Sequence, residues 1–218
     1  MTKTEVRARI EELGIIPSVR MYSAEDALFA AEAVAGGGIP IVEVPMTITG
    51  GVKVIQQLVR QNPDMIVGAG TLFDVELAHR CLDAGATFVT STGLDLEIVK
   101  FGLKRNVVVI PGALTPTEIM AAFRAGSDFV KVFPCSQVGG ASYIKALKAP
   151  FPDVPLIAAG GITQQNVADF ILAGAVAVGI GANLIPPEAV HRREPGWVHG
   201  VANRYLSLIK QARSQRKP

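Results

Sequence analysis

The strongest constraint on this chain is an alternation: eight short runs rich in valine, isoleucine and alanine, separated by longer segments with the apolar spacing of helices. The runs are Ile15–Arg20, Ile39–Val44, Ile66–Ala69, Phe88–Thr90, Val107–Ile110, Phe129–Val132, Leu156–Ala158 and Ala175–Val178. Near-continuous apolar runs belong to strands buried on both faces, as in a parallel sheet flanked by helices. The segments Ala24–Ala35, Val52–Gln61, Val75–Asp83, Leu94–Phe101, Thr115–Arg124 and Gln165–Leu172 supply those helices. Ser23, Asp74, Thr115 with Glu118 in a capping box, and Thr163 stand where the first turns need acceptors for their free N–H groups.

A weak repeat supports the same count. Ala35-Gly36, Ala84-Gly85, Ala125-Gly126 and Ala173-Gly174 each precede an even-numbered run, where glycine suits a left-handed helix cap. No linker or shift of composition divides the chain, so residues 1–218 are expected to form a single domain. Eight βα units in one domain of this length predict a (β/α)8 TIM barrel, α/β in class, with Thr2–Leu13 as an extra N-terminal helix and Val198–Gln211 as the last helix. Periodicity does not show whether the first and last strands pair, so an open doubly wound sheet is the alternative.

A hydrophobic fraction of 49% with 18% charged residues describes a chain that folds around a core rather than a disordered one. The net charge of +2 gives no field that argues for nucleic acid. Lys210, Arg213, Arg216 and Lys217 read as a solvated helix end. Cys81 and Cys135 have neither metal-ligand nor disulfide spacing, which suits a reducing compartment. The first residues lack the apolar core of a signal peptide, and the longest apolar stretch, Phe170–Ala182, is shorter than a bilayer span and broken by glycines. A cytoplasmic protein with no membrane partner is the expectation.

In a barrel, functional groups gather where strands end. Those positions here are Arg20, Glu43, Gly70-Thr71, Ser91-Thr92-Gly93, Pro111-Gly112, Lys131, Gly160-Gly161 and Gly179–Gly181. Lys131 is the lone base in Phe129-Val130-Lys131-Val132-Phe133. Loss of water there lowers a lysine's pKa and yields free amine for imine formation with a carbonyl substrate. A lysine at a strand end can also extend its ammonium to water or pair with a carboxylate. Glu43 is the lone carboxylate of Ile41-Val42-Glu43-Val44, and at the same mouth it suits proton transfer beside the amine, with a buried ion pair as the alternative.

Gly160-Gly161 and Gly179-Ile180-Gly181-Ala182 follow the last two strands, where close-approaching N–H groups and helix N-termini make a phosphate cup. Arg20 is placed to receive a carboxylate or phosphate, or to make an ordinary rim ion pair. His79, His191 and His199 stand away from strand ends, and no metal spacing is present.

Several segments then become familiar: Ala33-Val34-Ala35-Gly36-Gly37 before Val42-Glu43-Val44, Ile66-Val67-Gly68-Ala69-Gly70-Thr71, Ile110-Pro111-Gly112, Val130-Lys131-Val132-Phe133-Pro134 and Ala159-Gly160-Gly161-Ile162. In this order, over about residues 10 to 190, they resemble the class I aldolases of the 2-keto-3-deoxy-6-phosphogluconate and 4-hydroxy-2-oxoglutarate aldolase family. The resemblance implies a homotrimeric barrel enzyme, needing no cofactor, that cleaves a 2-keto-3-deoxy sugar acid, commonly phosphorylated, to pyruvate and an aldehyde. It makes Lys131 the Schiff-base lysine and Glu43 the general acid/base. Gly70 and Thr71 become contacts to the keto acid, Gly160 and Gly161 the phosphate loop, and Arg20 a strand-one arginine found in many members. Thr92, Pro111, Gly181 and Ala182 complete the substrate-binding set.

Two departures bear on the substrate. Thr47 stands where the family carries an arginine for the carboxylate end, a loss of about 1.5–3 kcal/mol of charge-assisted bonding unless Arg20 takes over. Ala182 stands where a phosphate-contacting serine is common. The alternatives are an isomerase or epimerase using the same phosphate cup, or a catalytically silent binder of phosphorylated ligands.

Overall fold

The computed structural model describes residues 1–215. Its strands are β1 (Ile15–Pro17), β2 (Ile41–Pro45), β3 (Ile66–Leu72), β4 (Phe88–Ser91), β5 (Val108–Ile110), β6 (Gly112–Ala113), β7 (Val130–Val132), β8 (Leu156–Ala159) and β9 (Ala177–Ile180). All are paired in parallel, in two arcs of order β1-β9-β8-β7-β6 and β2-β3-β4-β5.

Both seams between the arcs are joined by backbone hydrogen bonds. Pro111 separates β5 from β6, which are successive pieces of one strand; without an N–H it cannot continue the ladder, but its carbonyl accepts from Lys131 N–H at 2.9 Å. At the other seam Ser18 bridges Glu43 in parallel, and Val19 N–H donates to Glu43 O at 2.9 Å. The first and last strands pair as well, Ile16 with Gly179, so the barrel closes and the open-sheet alternative falls.

The helices are α1 (Lys3–Leu13), α2 (Ala24–Gly36), α3 (Gly51–Gln61), α4 (Val75–Asp83), α5 (Leu96–Lys104), α6 (Pro116–Arg124), α7 (Ala141–Lys148), α8 (Val167–Leu172), α9 (Pro187–His191) and α10 (Pro195–Gln215). Ser23, Asp74 and Thr115 cap as expected, the last in a reciprocal box with Glu118. Thr163 does not cap α8; Asn166 holds that position, and its side-chain oxygen accepts from Thr163 N–H at 2.8 Å. Gly85, Gly126 and Gly174 take the left-handed conformation after their helices, but Gly36 closes α2 itself and the left-handed residue is Gly38, at φ 91°. Gly140 starts a helix, α7, after a short 3-10 turn over Cys135–Val138.

The strand-start end is covered and tied. Thr2 caps α1 in a box with Glu5, and Lys3 on α1 pairs with Asp128 at 2.9 Å. Asp128 also accepts from Val109 N–H at 2.8 Å. Arg213 is a clasp rather than a solvated end: its guanidinium donates to the carbonyls of Glu12 and Glu11 at 2.6 Å and of Val176 at 2.8 Å. Arg216 and Lys217 lie outside the described residues.

Candidate active site

The strand-end mouth opens into a cavity of about 270 Å³. Period-two alternation sets its wall: Ile16, Ser18 and Arg20 from the first strand, Glu43 from β2, Thr90 and Thr92 from the fourth, and Lys131 and Phe133 from β7 onward. Ala159, Gly160, Gly161, Gly181 and Ala182 line the side formed by the last two strands. Of the expected residues, Gly70 and Pro111 do not line the cavity.

Both of these act one step back. A side chain on Gly70 would run into the Glu43 carboxylate, so glycine there makes the room in which Glu43 sits. Pro111 anchors the Lys131 backbone through its carbonyl. Thr71 does face the cavity, because a register irregularity between Ala69 and Leu72 turns it inward at φ 56°. A β-branched residue rarely adopts that conformation, and such strain persists where the surroundings enforce it.

The ionisable lining residues are Lys131, Glu43 and Arg20. Removal from water lowers the Lys131 pKa from the ordinary lysine value; the Glu43 charge opposes that shift and the Arg20 charge adds to it. Glu43 is buried, and each of its carboxylate oxygens accepts a hydroxyl hydrogen bond: Oε1 from Ser18 at 2.9 Å and Oε2 from Thr90 at 2.7 Å. Lys131 Nζ donates to Thr90 Oγ1 at 3.3 Å. The expected lysine and glutamate therefore share one mouth, but they are linked through a threonine instead of forming a direct ion pair.

Ser18 and Thr90 are absent from the sequence-based set. Period-two counting along each strand was the available signal, since Ser18 shares a face with Arg20 and Thr90 with Thr92. Ser91, by contrast, turns into the backbone, donating to Gly93 O at 2.7 Å and accepting from Gly112 N–H at 3.4 Å. Thr47 is exposed and outside the cavity wall. Cys135 is buried beside the mouth with its thiol pushed up to about 11 by burial, which leaves little thiolate for nucleophilic chemistry.

An amine whose pKa burial lowers, a carboxylate one hydroxyl away and glycine loops in the same wall form a site for carbonyl chemistry on an anionic substrate. The profile of the KDPG and KHG aldolases matches residues 6–199. The chain belongs to that aldolase family. A 2-dehydro-3-deoxy-phosphogluconate aldolase of Pseudomonas aeruginosa is 31% identical over 202 residues, covering 93% of this chain and 92% of its own. A KDPG aldolase of Legionella pneumophila, solved with pyruvate captured as a covalent carbinolamine, superimposes with a TM-score of 0.84 at 30% identity, covering 91% of this chain and 96% of its own. A native KDPGal structure gives 0.85 at 29%, covering 93% and 97%.

Among the described residues no helix is long and apolar enough to cross a membrane. Nor, among them, do three or more His, Cys, Asp or Glu side chains group to hold a metal ion. The cavity lining brings Lys131, Arg20 and Glu43 together with Gly160, Gly161 and Gly181.

Proposed function

We propose that this chain is a class I aldolase that cleaves a 2-keto-3-deoxy sugar acid, 6-phosphorylated in the expected case, to pyruvate and an aldehyde. The observation that carries the reading is the amine of Lys131, deprived of water and joined through Thr90 to Glu43 within a cavity lined by glycine loops. The amine attacks the C2 ketone, Glu43 assists loss of water, and the resulting iminium accepts the electron pair of the C3–C4 bond as it breaks. The enamine left behind is protonated and hydrolysed to pyruvate, freeing Lys131.

Arg20 takes a carboxylate or phosphate of the substrate, compensating for Thr47. Gly160, Gly161, Gly181 and Ala182 present the loops to the phosphate, with Thr71 and Thr92 along the keto-acid portion. Gly70 and Pro111 support Glu43 and Lys131 from behind. The reading extends to the whole chain, 1–218, working as one (β/α)8 unit, to a homotrimer and to a cytoplasmic setting, where two free buried cysteines are at home.

Borohydride reduction in the presence of pyruvate, followed by intact mass, tests the reading. A single pyruvate-derived adduct is expected, and it should vanish in Lys131→Ala. An unmodified wild-type protein, or an adduct that persists without Lys131, overturns it. A panel of keto-deoxy acids with and without phosphate, followed by pyruvate release, names the substrate.

A further inference from the structure

We propose that Thr90 is the proton relay between Lys131 and Glu43 during imine formation, a role that rests on the Schiff-base reading above and adds a residue to it. An ionised carboxylate can only accept hydrogen bonds, so the single hydroxyl hydrogen of Thr90 points to Glu43 Oε2, 2.7 Å away. The lone pairs of Oγ1 are then turned to Lys131 Nζ at 3.3 Å. The atoms form a continuous N–H, O–H, carboxylate chain.

Three features hold that chain in place. Thr90 is 2% exposed and lies in β4, in register with Ile110, so its backbone is fixed, and its branched Cβ restricts χ1. Ser18 occupies Glu43 Oε1 at 2.9 Å, which keeps the carboxylate from rotating away and leaves Oε2 for Thr90. Gly70 gives the carboxylate its space. A threonine chosen for packing alone could be valine; the hydroxyl is what joins the base to the amine.

The relay balances. When the Lys131 ammonium gives a proton to Thr90 Oγ1, the original hydroxyl proton passes to Glu43 Oε2, so one proton leaves nitrogen and one arrives on the carboxylate. The freed lone pair forms the N–C2 bond while the carbonyl π pair becomes an alkoxide, which Glu43 protonates. The nitrogen still carries an extra proton, and a second passage through Thr90 returns it to Glu43. Glu43 then protonates the departing hydroxyl, which leaves as water, and the products are the protonated imine and ionised Glu43.

The test is the rate of pyruvate adduct formation, read by rapid borohydride quench and intact mass, for wild type, Thr90→Val and Thr90→Ser across pH. Thr90→Val should form adduct about 10 to 100 times more slowly near neutral pH, within the usual range for a lost acid-base step. Its deficit should shrink as pH rises and hydroxide takes over deprotonation, and Thr90→Ser should stay near the wild-type rate. Equal rates for Thr90→Val and wild type at every pH, or a Thr90→Ser as slow as Thr90→Val, overturn the relay. Failure of the wild type to form adduct sinks the Schiff-base reading instead. Should Thr90→Val not fold, the wild-type rate in mixtures of light and heavy water decides: a bowed, two-proton dependence supports the relay, and a linear or absent one overturns it.

Discussion

The two ends of the barrel treat a buried carboxylate in opposite ways. At the strand-start end Asp128, 7% exposed, faces the Lys3 ammonium at 2.9 Å and a backbone N–H at 2.8 Å. At the mouth Glu43, 8% exposed, meets two hydroxyls and reaches a cation only across Thr90. A carboxylate paired with a cation and a backbone donor is held in place by charge-assisted bonds. One held by hydroxyls keeps a path for exchanging a proton. The same division runs through the neighbours: Arg213 ties three carbonyls at the closed end, whereas the open end carries a desolvated lysine and Thr71 at positive φ. Stability and chemistry are drawn from opposite rims of one sheet.

The sharpest way to break this contrast is at Lys131. Lys131→Ala should lower aldol cleavage by more than about a thousandfold, since among the described residues no other amine lines the cavity wall. Chemical denaturation should show no matching loss of stability. Retained turnover, or a protein that unfolds on this change, would place Lys131 among the structural charges. Glu43→Gln comes next, with an expected fall in kcat of about 10²–10⁴. The amide can still engage Ser18 and Thr90, so the melting temperature should hold while turnover falls.

Asp128→Ala should do the reverse. It strands the Lys3 ammonium and the Val109 N–H, and because Lys3 is 21% exposed and can reach water, the expected cost is about 2–3 kcal/mol of stability. Urea titration measures that loss, and pyruvate trapping at a temperature where the variant is folded should proceed at the wild-type rate. A slowed trapping rate with unchanged stability would dissolve the distinction between the two ends.

The mouth's half of this division was legible in the chain, and the closed end's ties were not. The eight runs pointed to a barrel because burial on both faces leaves an unbroken apolar signature, with an open sheet as the alternative until the first and last strands were seen to pair, and Lys131 and Glu43 stood out as the polar breaks in it. What escaped was whatever depends on contact across strands. Ser18 and Thr90 are unremarkable hydroxyls until register puts them on either side of Glu43. Gly70 and Pro111 were read as lining because strand ends point to the mouth, yet one clears space and the other lends a carbonyl. Arg213 looked solvated because nothing local foretells carbonyls from α1 and from the residue before β9 meeting at its head. Gly36 missed by two residues and Thr163 by three, as helix ends do when tertiary packing selects the cap.

The smallest expected effect is also the most direct measure of what the mouth does to a charge. Burial lowers the Lys131 pKa from the ordinary 10.5, so folding disfavours its ammonium. At pH below the lowered value the lysine is charged in both folded and unfolded chains, and the full cost of desolvating it is borne by the folded state. Between the lowered value and 10.5 the unfolded chain holds one more proton than the folded one, so stability rises with pH. Above 10.5 both forms are neutral and that cost is gone. Lys131→Met, which has no charge to desolvate, should therefore be more stable than wild type at neutral pH, and its advantage should narrow as pH rises toward 10.5. Paired urea titrations across that range read the difference directly. An advantage that stays flat or widens would mean that the lysine keeps its water, and the mouth would lose its claim to differ from the closed end.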